Sequence, residues 1–184
     1  MLITFILCFV FKVFVKPVVA ATLDPITLSG DDTKVIEKGD ELKTIADDTY
    51  AVTMKNGNNR MTNNGTISTQ WSDSYGVYSG HKDNNSFIIN NGTIKTMGMS
   101  SPGIYSLGKA ANIINNGKIS TKQTVSYSIF SWGDNSKIIN SKSGWIETEE
   151  TSAYGIFSVG NGTEISNSGT IIVKGPHAYG IWMN

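Results

Sequence analysis

The sequence predicts an all-β chain wound as a parallel β-helix of about five coils. Two motifs locked in phase and a third apolar island carry that expectation. Asn63-Asn64-Gly65-Thr66-Ile67 returns as Asn90-Asn91-Gly92-Thr93-Ile94 and as Asn115-Asn116-Gly117-Lys118-Ile119. Reduced copies follow at Ser143-Gly144-Trp145-Ile146 and Asn167-Ser168-Gly169-Thr170-Ile171, and the glycines are spaced 27, 25, 27 and 25 residues apart. Eleven residues after each glycine comes a second motif: Tyr75-Gly76-Val77-Tyr78-Ser79, Pro102-Gly103-Ile104-Tyr105-Ser106, Tyr127-Ser128-Ile129-Phe130-Ser131, Tyr154-Gly155-Ile156-Phe157-Ser158 and Tyr179-Gly180-Ile181-Trp182-Met183. Phe87-Ile88-Ile89, Asn112-Ile113-Ile114, Lys137-Ile138-Ile139 and Glu164-Ile165 complete each unit. Three short β-type segments per unit, separated by Gly, Asn and Ser, and no helical periodicity after Tyr50 leave little else. A unit this small cannot bury its own apolar face and must stack on its neighbours.

The elements read as follows in chain order. Residues 1–21 form an apolar run, Leu2–Phe11, then Lys12 and Lys16, then the small residues Val19-Ala20-Ala21. The run has the length of a signal-peptide core and is too short to span a bilayer. The lysines follow the apolar run instead of preceding it, and inside an uncleaved anchor they would be costly. A cleaved export signal is expected. The one cysteine, Cys8, lies within it, so the mature chain would hold no disulfide and no thiolate metal site. Residues 22–49 do not repeat visibly and carry 8 of the 15 acids; they read as a polar cap shielding a sheet edge. Residues 50–184 are the coils, with a weaker first copy at Tyr50-Ala51-Val52-Thr53-Met54.

Within the coils three inward columns are expected: Ile67/Ile94/Ile119/Ile146/Ile171, Val77/Ile104/Ile129/Ile156/Ile181 and Ile88/Ile113/Ile138/Ile165. Asn63, Asn90, Asn115 and Asn167 are placed to hydrogen-bond along the axis as an amide ladder. Asn64, Asn91, Asn116 and the glycine after each read as left-handed corners. Asn140-Ser141-Lys142-Ser143-Gly144 has two extra residues and reads as a bulged corner. Tyr78, Tyr105, Phe130, Phe157 and Trp182 follow the second column by one residue. Strand alternation puts them outside, as a surface for sugars or a protein partner. The competing reading makes these rings core, or packs them on another segment.

Several chemistries find no support. Lys+Arg and Asp+Glu are both 15, which argues against a nucleic-acid binder relying on a broad basic surface. His81 and His177 occupy unrelated repeat positions, which argues against a metal site. Asp73, Asp83 and Asp134 share no repeat phase, and Asp31-Asp32 lies in the cap segment; no catalytic carboxylate pair is expected. No phosphate loop, dinucleotide fingerprint or serine-hydrolase elbow occurs, and no cofactor is implied.

From Tyr50 to Asn184 these repeats resemble the passenger repeats of bacterial autotransporters. The carriers are Asn-Asn-Gly-Thr-Ile and, eleven residues past its glycine, Tyr-Gly-Ile/Val-Phe/Tyr. The resemblance implies a right-handed β-helix exported to the surface of a Gram-negative cell, and a non-enzymatic role in adhesion or display toward a host glycan or matrix protein. Autotransporters end in an outer-membrane barrel, and nothing after Asn184 supplies one. A passenger fragment of a longer protein, open at its C-terminal end, is therefore expected. A carbohydrate-active β-helix enzyme and a truncated product without function are the alternatives.

Overall fold

The computed structural model describes residues 21–184; the expected export signal lies outside the described residues except for Ala21. Twenty short strands alternate among three parallel sheets in strict rotation. The first sheet holds seven strands, among them Glu41–Thr44, Thr66–Thr69, Thr93–Thr96, Lys118–Thr121, Trp145–Thr148 and Thr170–Val173. The second, also of seven, runs from Ile26–Ser29 through Val52–Lys55, Val77–Ser79, Ile104–Ser106, Tyr127–Ser131 and Tyr154–Ser158 to Tyr179–Met183. The third has six, from Thr33–Ile36 to Glu164–Asn167. The described chain is thus a β-solenoid of about six turns with no helix.

The register is the one the repeat demands. Ile94 pairs with Ile67 and Ile119, and the column continues through Ile146 to Ile171. Ile104 lies between Val77 and Ile129, and Ile113 between Ile88 and Ile138. Ile67, Ile94, Ile119, Ile146, Val77, Ile104, Ile129, Ile156, Ile88, Ile113 and Ile138 are all fully enclosed. Each such side chain stabilises the fold by about 1.5–3 kcal/mol relative to exposure. Ile165 and Ile171 are partly buried, and Ile181, in the last strand, is 42% exposed.

Two expectations need correction. Residues 22–49 are a coil, not a non-repeating cap. Thr22–Leu23, Ile26–Ser29, Thr33–Ile36 and Glu41–Thr44 each pair in parallel with the coil that follows. Leu42 fills the place of Ile67, and Gly39-Asp40 replaces Asn64-Gly65, so the packing persists where the motif does not. The second correction concerns the corner glycines. Asn64, Asn91, Asn116 and the glycines after them have ordinary negative φ. Glycine is required there by close approach. A Cβ on Gly92 would overlap the carbonyl oxygen of Gly65, one on Gly117 that of Gly92, and one on Gly169 that of Gly144. Left-handed residues lie elsewhere: once per coil between the second and third sheets, at Asp31, Asn56, Asn85, Ala110, Asn135 and Gly162, and again between the first and second sheets. Asp48, Asp73, Ser100, Val125, Ser152 and His177 hold φ of 49–56° there, once per coil. Val125 is a β-branched residue in a conformation that costs about 1–2 kcal/mol.

The amide ladder is present and longer than expected. Asn63 Nδ2 donates to Asn90 Oδ1, Asn90 to Asn115, Asn115 to Asn140 and Asn140 to Asn167, every contact 2.8 Å. Asn140 keeps its rung because the two extra residues come after it, in a turn closed by Gly144 N–H donating to the Ser141 carbonyl at 2.8 Å. Asn63, Asn90, Asn115 and Asn140 are fully buried. A parallel outer ladder joins Asn91 to Asn64 and Asn116 to Asn91 at 2.8 Å. Asn90→Ala is expected to destabilise by about 2–4 kcal/mol, since it strands the buried amides of Asn63 and Asn115. Asn91→Ala, on the wet ladder, should cost under about 1 kcal/mol. Thermal or urea melts of the two variants measure the difference.

Candidate functional site

The second sheet carries the chemistry that distinguishes this rod. Its strands alternate, so Val77, Ile104, Ile129 and Ile156 point inward and the next residue points out. Tyr78, Tyr105, Phe130, Phe157 and Trp182 accordingly form one outer column. Tyr105 and Phe130 stack at 4.5 Å and 7°, Phe130 and Phe157 at 5.5 Å and 8°, and Phe157 and Trp182 at 4.5 Å and 10°. Tyr78 and Tyr105 lie nearly parallel at 6.2 Å.

A second column, not foreseen, runs beside the first: Tyr50, Tyr75, Tyr127, Tyr154 and Tyr179, with Pro102 in the third place. Tyr50 stacks on Tyr75 at 4.6 Å, and Tyr154 on Tyr179 at 5.4 Å. These tyrosines open each second-sheet motif and share parity with the inward column. They turn outward because alternation breaks just after them: Gly76, Gly103, Ser128 and Gly155 face the core, and so does the residue that follows each. Cross-column contacts such as Tyr154 to Phe157, edge to face at 4.9 Å, knit the two together. Burial pushes the hydroxyls of Tyr50, Tyr105 and Tyr127 up, and that of Tyr75 up to about 12, with neighbouring tyrosines adding to the effect. Most rings are half-buried, and Phe130 is enclosed. Their faces are occupied by one another, so they present edges outward.

Free aromatic faces are found at the corners instead. Trp132 follows the second-sheet strand Tyr127–Ser131 and is 55% exposed. It borders a cleft of about 340 Å³ shared with His81, Leu107, Lys109, Asp134 and Asn161. Lys109 Nζ lies 3.4 Å from Asp134 Oδ2, and Asn161 N–H donates to Asp134 Oδ1 at 3.0 Å. Those hydrogen bonds, Asn161 first and then Lys109, hold the Asp134 carboxyl below its usual range. The cleft thus pairs an apolar ring with a cation, an anion and an amide. Trp132 was missed from the sequence because it occurs once, outside any repeated motif.

A family model for the third pectate lyase-like domain of BigA matches residues 26–180. The chain belongs to this family. No curated protein and no solved structure matches it. The BigA-type match begins within the segment first read as a cap and so includes the first coil. In this pectate lyase-like domain Asp73, Asp83 and Asp134 are not brought together. Asp73 sits at the left-handed corner between the first and second sheets. Asp83 and Asp134 lie between the second and third sheets, two coils apart. Asp83 is fully buried and accepts from Asn59 N–H at 3.2 Å, Asn59 Nδ2 at 2.6 Å and the Ser79 hydroxyl at 2.8 Å. Burial nevertheless pushes its carboxyl up. Asp31 accepts from Asn58 N–H at 2.6 Å, a corner bond that holds its carboxyl below the usual range. His81 lines the Trp132 cleft and His177 stands at the other corner; among the described residues no three His, Cys, Asp or Glu side chains converge.

The outer face of the first sheet carries an ion-pair network. Glu147, only 13% exposed at its side chain, lies 2.6 Å from Lys174 and 3.2 Å from Lys118. Glu149 pairs with Lys122 beside it. Lys174 first, then Lys118, hold the Glu147 carboxyl down to about 2, against an ordinary 4.5. A depressed carboxylate contributes stability above its unfolded value and loses it on acidification. That contribution is therefore complete above pH 4.5 and fades toward pH 2. Glu147→Gln is expected to lower stability at neutral pH by about 1 kcal/mol. It should also flatten the acid-side decline, as read by melting temperature across that window.

Proposed function

We propose that this domain is a non-enzymatic exported surface module that meets a glycan or matrix partner along its second-sheet side. The Trp132 cleft carries the reading. It joins the one broadly exposed ring on that corner to Lys109, Asp134 and Asn161, a combination suited to the apolar face and hydroxyls of a sugar. Continuous aromatic columns beside it give a stiff wall. The resemblance to autotransporter passengers and the apolar N-terminal run support export to a bacterial surface. Membership in a pectate lyase-like family favours polysaccharide as the partner class.

A second reading, cleavage of that polysaccharide, draws on the same family name. One experiment separates the two. The folded protein is titrated against a panel of plant, bacterial and host glycans and matrix proteins, with the products of each glycan mixture analysed. Binding without chain scission is expected. Trp132→Ala should weaken it at least tenfold, about 1.4 kcal/mol, with the melting temperature unchanged. Absence of any partner, or an unchanged affinity in Trp132→Ala, contradicts the site; chain scission establishes the enzymatic reading.

A further inference from the structure

Five Asn-Gly pairs stand along the chain: Asn56-Gly57, Asn64-Gly65, Asn91-Gly92, Asn116-Gly117 and Asn161-Gly162. In this dipeptide the backbone nitrogen after the asparagine readily attacks the side-chain amide carbon, because glycine offers no side chain to hinder it. The reaction needs that nitrogen free and the amide able to swing onto it.

Four of the pairs are held. Gly57 N–H donates to the Lys82 carbonyl at 3.1 Å. Gly92 donates to the Asn63 carbonyl and Gly117 to the Asn90 carbonyl, both at 2.9 Å. Gly65 donates to Asn63 Oδ1 at 3.1 Å. The amides of Asn64, Asn91 and Asn116 are further tied into the outer ladder. Asn161-Gly162 differs on both counts. Among the described residues no hydrogen bond engages Gly162 N–H. Asn161 is exposed, and its amide reaches only Asp134 Oδ1, at 3.5 Å. Gly162 also holds φ of +67°, a corner conformation distinct from the other four glycines.

We propose that Asn161 is a site of spontaneous deamidation. Gly162 N bonds to Asn161 Cγ, and the side-chain nitrogen leaves as ammonia, taking up the proton lost from the glycine amide. Water then opens the cyclic imide at either carbonyl, giving aspartate or isoaspartate. No oxidant or cofactor enters. The new carboxylate faces Asp134 in place of an amide donor, in the wall of the Trp132 cleft and beside the Lys109–Asp134 pair. Isoaspartate also lengthens the backbone by one atom at a corner that must stack. The modification stands on hydrogen bonding alone, whatever the cleft binds.

The test is peptide mapping of the folded protein held at mildly alkaline pH, with isoaspartate detected by enzymatic methylation. The peptide carrying Asn161 should convert several-fold faster than those carrying Asn64, Asn91 and Asn116, with isoaspartate at position 161. In denaturant the difference should vanish. Equal rates in the folded protein, or conversion first at the ladder asparagines, would overturn the proposal. So would a preference for Asn161 that survives unfolding, because the cause would then be local sequence.

Discussion

Direct superposition of each coil on the last is the constraint from which the rest follows. Apolar columns alone do not fix it. A strand slipped by two residues keeps its inward and outward faces, so the isoleucine columns tolerate that error. The asparagine rungs do not. Slipping one coil by two residues strands two buried amides, each at about 1–3 kcal/mol. The corner glycines add a steric veto, because any side chain brought beneath a stacked carbonyl collides with it. Burial therefore drives the collapse, while Asn63, Asn90, Asn115, Asn140 and Asn167 select the register.

The same superposition decides what the surface can do. Once like residues lie one strand apart, rings at one position must stack face to face. Tyr78, Tyr105, Phe130, Phe157 and Trp182 are then a stiffening device first, with edges for a partner to touch. A ring with an exposed face occurs where the repeat is broken and the ring has no like neighbour, as at Trp132. Corners also collect the exceptional backbone, from Val125 in a left-handed conformation to Gly162, whose N–H meets no acceptor among the described residues.

Much of this was legible in the sequence, and the failures have physical causes. The three inward columns and the inner ladder follow from spacing, because strand alternation and stacking leave one solution. The first coil was not legible, since Leu42 and Gly39-Asp40 satisfy the same packing with different letters. Corner glycines were assigned to the wrong cause: a sequence cannot tell a residue needed for φ from one needed for closeness. The second tyrosine column was hidden by parity, which fails where two successive residues, such as Gly76 and Val77, both face the core. For the site, the first aromatic column was legible as a column from its spacing, while its exposed and core readings both stood open because alternation does not say how far stacked rings cover one another. Trp132 was invisible, as a single unrepeated residue gives periodicity nothing to detect. The separation of Asp73, Asp83 and Asp134 was foreseen from their unrelated phases.

Superposition itself is most directly measured by paired spin labels. Cysteines at Thr66 and Thr93 carry labels on adjacent strands, 27 residues apart in sequence yet directly paired. Labels at Thr66 and Lys118 sit two strands apart. The account predicts backbone separations of about 4.8 Å and about twice that, hence strong exchange coupling in the first pair and dipolar coupling alone in the second. Equal or reversed coupling would contradict the in-register rod and every surface assignment built on it.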